Sequence, residues 1–134
     1  MKRVRTDIGL RFCDTDMIGH INNTAIAQYA EAGRVSILTA AKLPAKSMIL
    51  VNINIDFLGQ MHLGDEVWVE TWVSRFGTTS VTLAQEIFAN GKVCARTRSV
   101  IVTFDYATNR PIPVPAPLRA SFEQFWIPEE GADA

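Results

Sequence analysis

One long helical pattern, from Thr24 to about Ala41, restricts this chain more than any other stretch. Ile26, Tyr29, Ala30, Gly33, Ile37 and Ala41 fall on one face, and alanine, valine and leucine fill several flanking positions. Only a narrow polar strip remains, carrying Thr24, Gln28, Glu31 and Lys42. A helix with so wide an apolar surface is largely surrounded by the rest of its protein instead of resting on it. Gly33 in its middle costs about 1 kcal/mol against alanine. Close packing of a sheet against the helix backbone is one reason to tolerate that cost, and drift is another. Pro44 ends the helical region.

The material that surrounds the helix reads as strands. Ahead of it, Val4, Thr6, Ile8, Leu10 and Phe12 alternate with Arg3, Arg5, Asp7, Gly9 and Arg11, a half-buried strand pattern. After it, period two holds from Met48 to Tyr106. Ile49, Val51, Ile53, Ile55 and Phe57 form one row, opposite Asn52, Asn54 and Asp56. A turn over Gly59 to Gly64 leads to Val67, Val69, Thr71 and Val73, which alternate with Trp68, Glu70 and Trp72. Gly77 opens the next turn, and Val81 to Ile87 continues to the Asn90-Gly91 hairpin signal. Val93 to Phe104 is the last long strand. The prolines between Asn109 and Pro117 predict a stiff extended connection, and Ala116 to Trp126 a short terminal helix.

Strand, buried helix and four further strands imply an α+β fold in which a five-stranded antiparallel sheet curls around one central helix. The 134 residues are expected to form one domain, with a core over about 4–126 and a tail over 127–134. The apolar fraction of 48%, with tryptophans and aliphatic residues on the sheet's other face and edge, points to self-association as a dimer, or doubled to a tetramer. Trp68 and Trp72 are read as packing or interface residues.

Composition also narrows the function. A formal net charge of −1 argues against a general nucleic-acid surface and leaves room for a local arginine cluster facing a phosphorylated ligand. No run approaches the roughly 20 apolar residues needed to span a bilayer, and no apolar signal core follows the first residues. Cys13 and Cys94 make no disulfide framework. A soluble cytoplasmic protein, with no membrane partner, is the default expectation.

Chemistry-bearing residues concentrate between the first strand and the helix. Asp14, Asp16, Gly19, His20, Asn22 and Asn23 lie within ten residues, on a loop held by rigid elements at both ends. Asn22 or Asn23 can cap the helix and leave backbone N–H groups pointing outward from its start. A carboxylate near such amides suits attack on a carbonyl, because the amides hold the oxyanion. Asp16 is therefore the first catalytic candidate. Asp14 is expected to be structural, His20 to order the loop or face the substrate, and His62 to be a turn residue. No metal is expected, since no second ligand cluster joins Asp14, Asp16 and His20.

This pattern resembles the hotdog-fold acyl-CoA thioesterases, in particular the group similar to 4-hydroxybenzoyl-CoA thioesterase. The resemblance runs from about Val4 to Phe122, and its most specific piece is Asp16-Met17-Ile18-Gly19-His20-Ile21-Asn22-Asn23, followed by Tyr29 and Glu31 on the helix. Asp56-Phe57, Gly64-Asp65, Arg75-Phe76-Gly77, Asn90-Gly91-Lys92 and the ending from Asp105 to Pro113 support it. The resemblance implies a hotdog fold, Asp16 as the catalytic carboxylate and the amide near Asn23 as the group that polarises the thioester carbonyl. His20, directly after the glycine, then joins the catalytic group, and an alternative arrangement in the family, with its carboxylate in the central helix, would place that role on Glu31. An acyl-CoA substrate and no cofactor are also implied. The site would lie at a dimer interface, with Gly19 and Asn22 in the loop, the acyl group beside Ile26, Tyr29 and Phe57, and the coenzyme phosphates near Arg75, Arg96 and Arg98. Whether Asp16 attacks the carbonyl or activates water stays open. The rival readings are a hydratase or dehydratase of the same fold and a non-catalytic acyl-thioester-binding protein.

Overall fold

The computed structural model describes residues 2–44 and 48–129. Strand β1 (Val4–Ile8) passes through a 3-10 turn (Phe12–Asp14) to the long helix α1 (Asn23–Ala40). Strands β2 (Met48–Phe57), β3 (Val67–Phe76), β4 (Ser80–Ala89) and β5 (Lys92–Asp105) follow, then a short β6 (Arg110–Pro111) and helix α2 (Ala116–Glu123). The hydrogen-bonded order is β1-β3-β4-β5-β2, antiparallel throughout, with β6 paired to β5. The result is the α+β hotdog arrangement, four long strands and the shorter β1 against one central helix, with two residues of a sixth strand added.

Helix α1 packs on β1, β3 and β4. One apolar cluster joins Ile21, Ile26 and Tyr29 to Met61, Val69 and Ile87 near the start of the helix. A second joins Ile37 and Leu38 to Val73, Leu83, Phe122 and Phe125, so that α2 closes the far end. A polar layer is also buried under the helix. The Gln85 side-chain amide donates to the Ala30 carbonyl at 2.8 Å and to Thr71 Oγ1 at 3.1 Å, and the Thr97 hydroxyl donates back to Gln85 Oε1. Its hydrogen-bonding groups are thus matched, as burial requires.

Gly33 sits on that layer. A Cβ there would lie 2.5 Å from Gln85 Nε2, 2.7 Å from Thr71 Oγ1 and 2.9 Å from Val69 Cγ1. Close approach therefore accounts for the glycine, and it is made by sheet side chains. Gly33→Ala is expected to destabilise the protein by about 1–3 kcal/mol net, despite roughly 1 kcal/mol gained in helix propensity. Thermal melting reads this directly. An unchanged or higher melting temperature would mean that the Gln85 layer moves aside freely.

Two strands depart from simple alternation. The first ends at Ile8, and Phe12 is 83% exposed in the 3-10 turn, where the pairing of Arg11 with Asp14 bends the chain out of the sheet. In β2 the pairing with β5 slips between Leu50 and Asn52. Leu50 opposes Ile101 and Ile53 opposes Ser99, so this bulge puts Met48 and Leu50 on the same face as Ile53, Ile55 and Phe57, and moves Ile49 and Val51 out of that row. That inner face is not fully covered, since Leu50, Ile53 and Phe57 keep 39%, 37% and 47% of their surface exposed. Strand β2 is also an edge, bonded only to β5 among the described strands. Among the described residues no helix is long and apolar enough to cross a membrane.

Candidate active site

The segment from Asp14 to Asn22 forms a tight turn. Thr15 bridges Ile21, the Asp16 N–H donates to the His20 carbonyl at 2.8 Å, and Gly19 takes φ +85°, a conformation that side-chain-bearing residues rarely hold. Asp16 Oδ1 accepts the backbone N–H groups of Ile18 at 2.9 Å and His20 at 3.1 Å. One carboxylate oxygen thus braces the turn. The other, Oδ2, has no hydrogen-bond partner among the described residues.

A second loop clamps this turn from outside. The Ile21 N–H donates to the Met61 carbonyl at 2.7 Å, His20 forms a strand-like bridge with His62, and their rings meet edge to face at 4.9 Å. His62 in turn donates its backbone N–H to Asp65 Oδ2 at 2.8 Å. This clamp brings Gln60 to the turn.

Asp14 holds the turn to the helix. It is 2% exposed and accepts the Tyr29 hydroxyl at 2.7 Å, the Arg11 guanidinium at 2.8 and 3.1 Å, and the Arg11 backbone N–H at 3.2 Å. Burial pushes the Asp14 carboxyl up, but the Tyr29 hydroxyl and the Arg11 donors outweigh it and hold the pKa below the usual carboxylate value. Burial, and then the bond to Asp14, push the Tyr29 hydroxyl up. Because the folded pKa of Asp14 is depressed, its contribution is fully present above the unfolded value near 4 and is lost as pH falls through the folded value. Wild type is therefore expected to lose stability below about pH 4 more steeply than Asp14→Asn, measured by chemical denaturation from pH 6 to pH 3. Parallel profiles would exclude Asp14 as a source of acid sensitivity.

At the helix start, Asn22 is the N-cap. Its Oδ1 accepts the Thr24 N–H and hydroxyl, both at 2.9 Å, and its backbone oxygen accepts the Ala25 and Ile26 N–H groups at 2.9 and 3.2 Å. The Asn23 N–H, first in the helix, has no acceptor among the described residues. Asp16, Ile18, His20, Asn22, Asn23 and Gln60 line one cavity of about 250 Å³. A carboxylate with one free oxygen and a helix N-terminus with an unpaired amide thus border the same space, where the helix dipole favours negative charge.

The other sequence candidates lie apart from this cavity. Gly19 shapes the turn, while Ile26, 3% exposed, and Tyr29, bound to Asp14, belong to the core. Phe57 is on the open inner face of β2, and Glu31 lines a different cavity two turns along α1. Arg96 and Arg98 alternate with Thr97 and Ser99, which face the helix. They therefore lie on the outer face, paired with Glu86 at 3.1 Å and Glu129 at 3.2 Å. Arg75 is exposed near the far end of β3. Within one chain, then, the three arginines do not join Asp16. Gln60 was missed by sequence reasoning, and nothing in the Gly59 to Gly64 turn singles it out, because only the pairing of His20 with His62 delivers it.

Comparison with known proteins gives the family and the fold. The family model of the thioesterase-like superfamily matches residues 10–122. Among solved structures, a predicted thioesterase from Bacillus stearothermophilus is 37% identical, with a TM-score of 0.88 over 95% of this chain and 98% of that one. A thioesterase from Thermus thermophilus, complexed with coenzyme A and Zn, is 26% identical, with a TM-score of 0.85 over 92% and 93%. A 1,4-dihydroxy-2-naphthoyl-CoA thioesterase from Synechocystis shares the fold at 19% identity, with a TM-score of 0.81 over 90% and 95%. No curated protein matches the chain.

Proposed function

Because the chain belongs to the thioesterase-like superfamily and is an enzyme of the thioester-hydrolase type, we propose that it hydrolyses acyl-CoA thioesters in the cavity between the Asp16 turn and the start of α1. The observation that carries this reading is the pairing of a free carboxylate oxygen on Asp16 with an unpaired amide on Asn23, both residues lining one cavity. The coenzyme A complex of the Thermus thermophilus relative supports the choice of donor.

A thioester is already activated, so the protein needs only to hold the carbonyl, stabilise the oxyanion and supply a nucleophile. The thioester oxygen accepts the Asn23 N–H, where the helix dipole assists. Asp16 Oδ2 acts on the carbonyl carbon by one of two routes. It attacks directly, forming a mixed anhydride and expelling the thiolate, and water then cleaves the anhydride. Alternatively, it takes a proton from a water that attacks, and that proton ends on the departing sulfur. Both routes use the same oxygen and give free acid and coenzyme A. The Asp16 clamp on the Ile18 and His20 amides keeps Oδ1 occupied and so leaves Oδ2 as the reacting atom.

The enzyme is further proposed to act as a dimer. Met17 and Ile18 beside Asp16 are 101% and 73% exposed, and the β2 edge and inner face are open. A second copy would cover this apolar surface. The functional test is thiol release from short, long and aromatic acyl-CoAs by wild-type protein. Turnover of at least one class is expected. Tight acyl-CoA binding without thiol release would favour a binding protein, and hydration of an enoyl-CoA without thiol release would favour a hydratase.

A further inference from the structure

Helix α1 carries Glu31, Arg34, Val35 and Leu38 on one stripe, at the spacing that stacks side chains along a helix. With Met48 and Leu50 of β2, this stripe lines a cavity of about 180 Å³ on the open side of the sheet. Arg34 is unusual there. It is 8% exposed, it donates to Ser99 Oγ at 3.4 Å, and among the described residues it has no other hydrogen bond and no carboxylate within ion-pair distance. Burial pulls its pKa down, and the nearby charge of Glu31 opposes that. A guanidinium carries five donors, and burying it without an anion is costly. Glu31, three residues earlier, is exposed and forms no ion pair among the described residues.

Apolar surface surrounds this pair of charges. Val35 is 47% exposed, Leu50 across the cavity is 39% exposed, and Ile53 further along the inner face of the free β2 edge is 37% exposed. A patch bearing one acid and one base on a single stripe is complementary to itself. About a two-fold axis, residue i of one copy meets residue j of the other, and the reverse contact follows by symmetry. A small anionic ligand would meet Glu31 beside Arg34, whereas a second copy supplies acid and base together. The charges therefore favour a second copy as the occupant.

We propose that the α1 stripe is a symmetric clasp, in which Arg34 of each copy pairs with Glu31 of its mate while Val35 and Leu50 pack around the axis. The contact presupposes the dimer proposed above and identifies what holds its two central helices in register. Pairing of the two β2 edges antiparallel would bring the stripes together from the same side of a continuous sheet. The clasp removes the anomaly at Arg34, because each buried guanidinium gains a carboxylate in a dry interface.

The test uses two charge reversals, Glu31→Arg and Arg34→Glu, with dimer dissociation constants from sedimentation and folding checked by circular dichroism. Each variant alone faces like charge with like charge, so its homodimer is expected to weaken by at least about tenfold. Mixing the two restores both pairs, and a heterodimer of near wild-type affinity is expected. Should Arg34→Glu fail to fold, the exposed Glu31→Arg decides alone. A wild-type monomer at micromolar concentration would overturn the clasp and the dimer together, without touching the hydrolytic reading, which thiol release measures separately. A wild-type dimer matched in affinity by Glu31→Arg would overturn the clasp only. If Arg34→Met then raised KM severalfold, the cavity would pass to a ligand anion instead.

Discussion

Asp16→Asn is expected to lower kcat for acyl-CoA hydrolysis by about 100- to 10,000-fold, with KM and melting temperature nearly unchanged. The geometry separates the two oxygens of this side chain. Oδ1 accepts the Ile18 and His20 amides and braces the turn, and an asparagine oxygen accepts the same two bonds. What the substitution removes is the charge on Oδ2, the oxygen without a partner. A residue that only shaped the turn would behave differently, because activity would then track the folded fraction. An Asn variant that stays folded and turns over at the wild-type rate would remove Asp16 from the mechanism.

Asn23→Pro is expected to lower kcat by about 100- to 1,000-fold, the usual cost of losing one oxyanion donor. Proline is well suited to this position. Asn23 is the first helical residue, its N–H serves no helical bond, and proline is favoured there. Asn22 before it already holds φ −67° and ψ 142°, the conformation that a residue preceding proline prefers. The helix should therefore survive while the amide disappears. Asn23→Ala, which keeps the N–H, is the control and should remain close to wild type in kcat. Equal rates for the proline and alanine variants, both folded, would show that the Asn23 amide does not hold the oxyanion.

The fold was readable in the sequence because its main constraint is simple. A helix apolar on most sides, among strands of period two, leaves few arrangements besides a sheet curled over that helix. The turn was readable for a similar reason, since few structures need two aspartates, a glycine and two asparagines between a strand and a helix. Cap logic narrowed the helix start to Asn22 or Asn23, with outward N–H groups beside either, and the structure gives the cap to Asn22.

What the sequence hid depends on long-range pairing. Gln60 reaches the cavity only because His20 bridges His62, and no local pattern encodes that contact. The bulge at Val51 reversed the inner and outer rows for half of β2, and a run of apolar residues on both sides of Asn52 conceals such a slip. Tyr29 sat on the expected helix face, yet its hydroxyl is taken by Asp14, which spacing alone could not distinguish from a substrate contact. Arg96 and Arg98 looked like phosphate ligands as a group of charges. Their acidic partners, Glu86 on the neighbouring strand and Glu129 after α2, become visible only in three dimensions. Arg34 looks ordinary in the sequence because a helical arginine is usually solvated, and only its burial without a carboxylate partner among the described residues sets it apart.

The proposed hydrolysis of an acyl thioester at the start of α1 depends on Asp16. Its most direct measurement follows free thiol and free acid together, from one acyl-CoA turned over by wild type, with folded Asp16→Asn run in parallel. Thiol and acid are expected in equal amounts with wild type, and the variant is expected to release at least about 100-fold less of both per unit time. Release at equal rates by the two proteins, or the absence of thiol from wild type with every acyl-CoA offered, would contradict it.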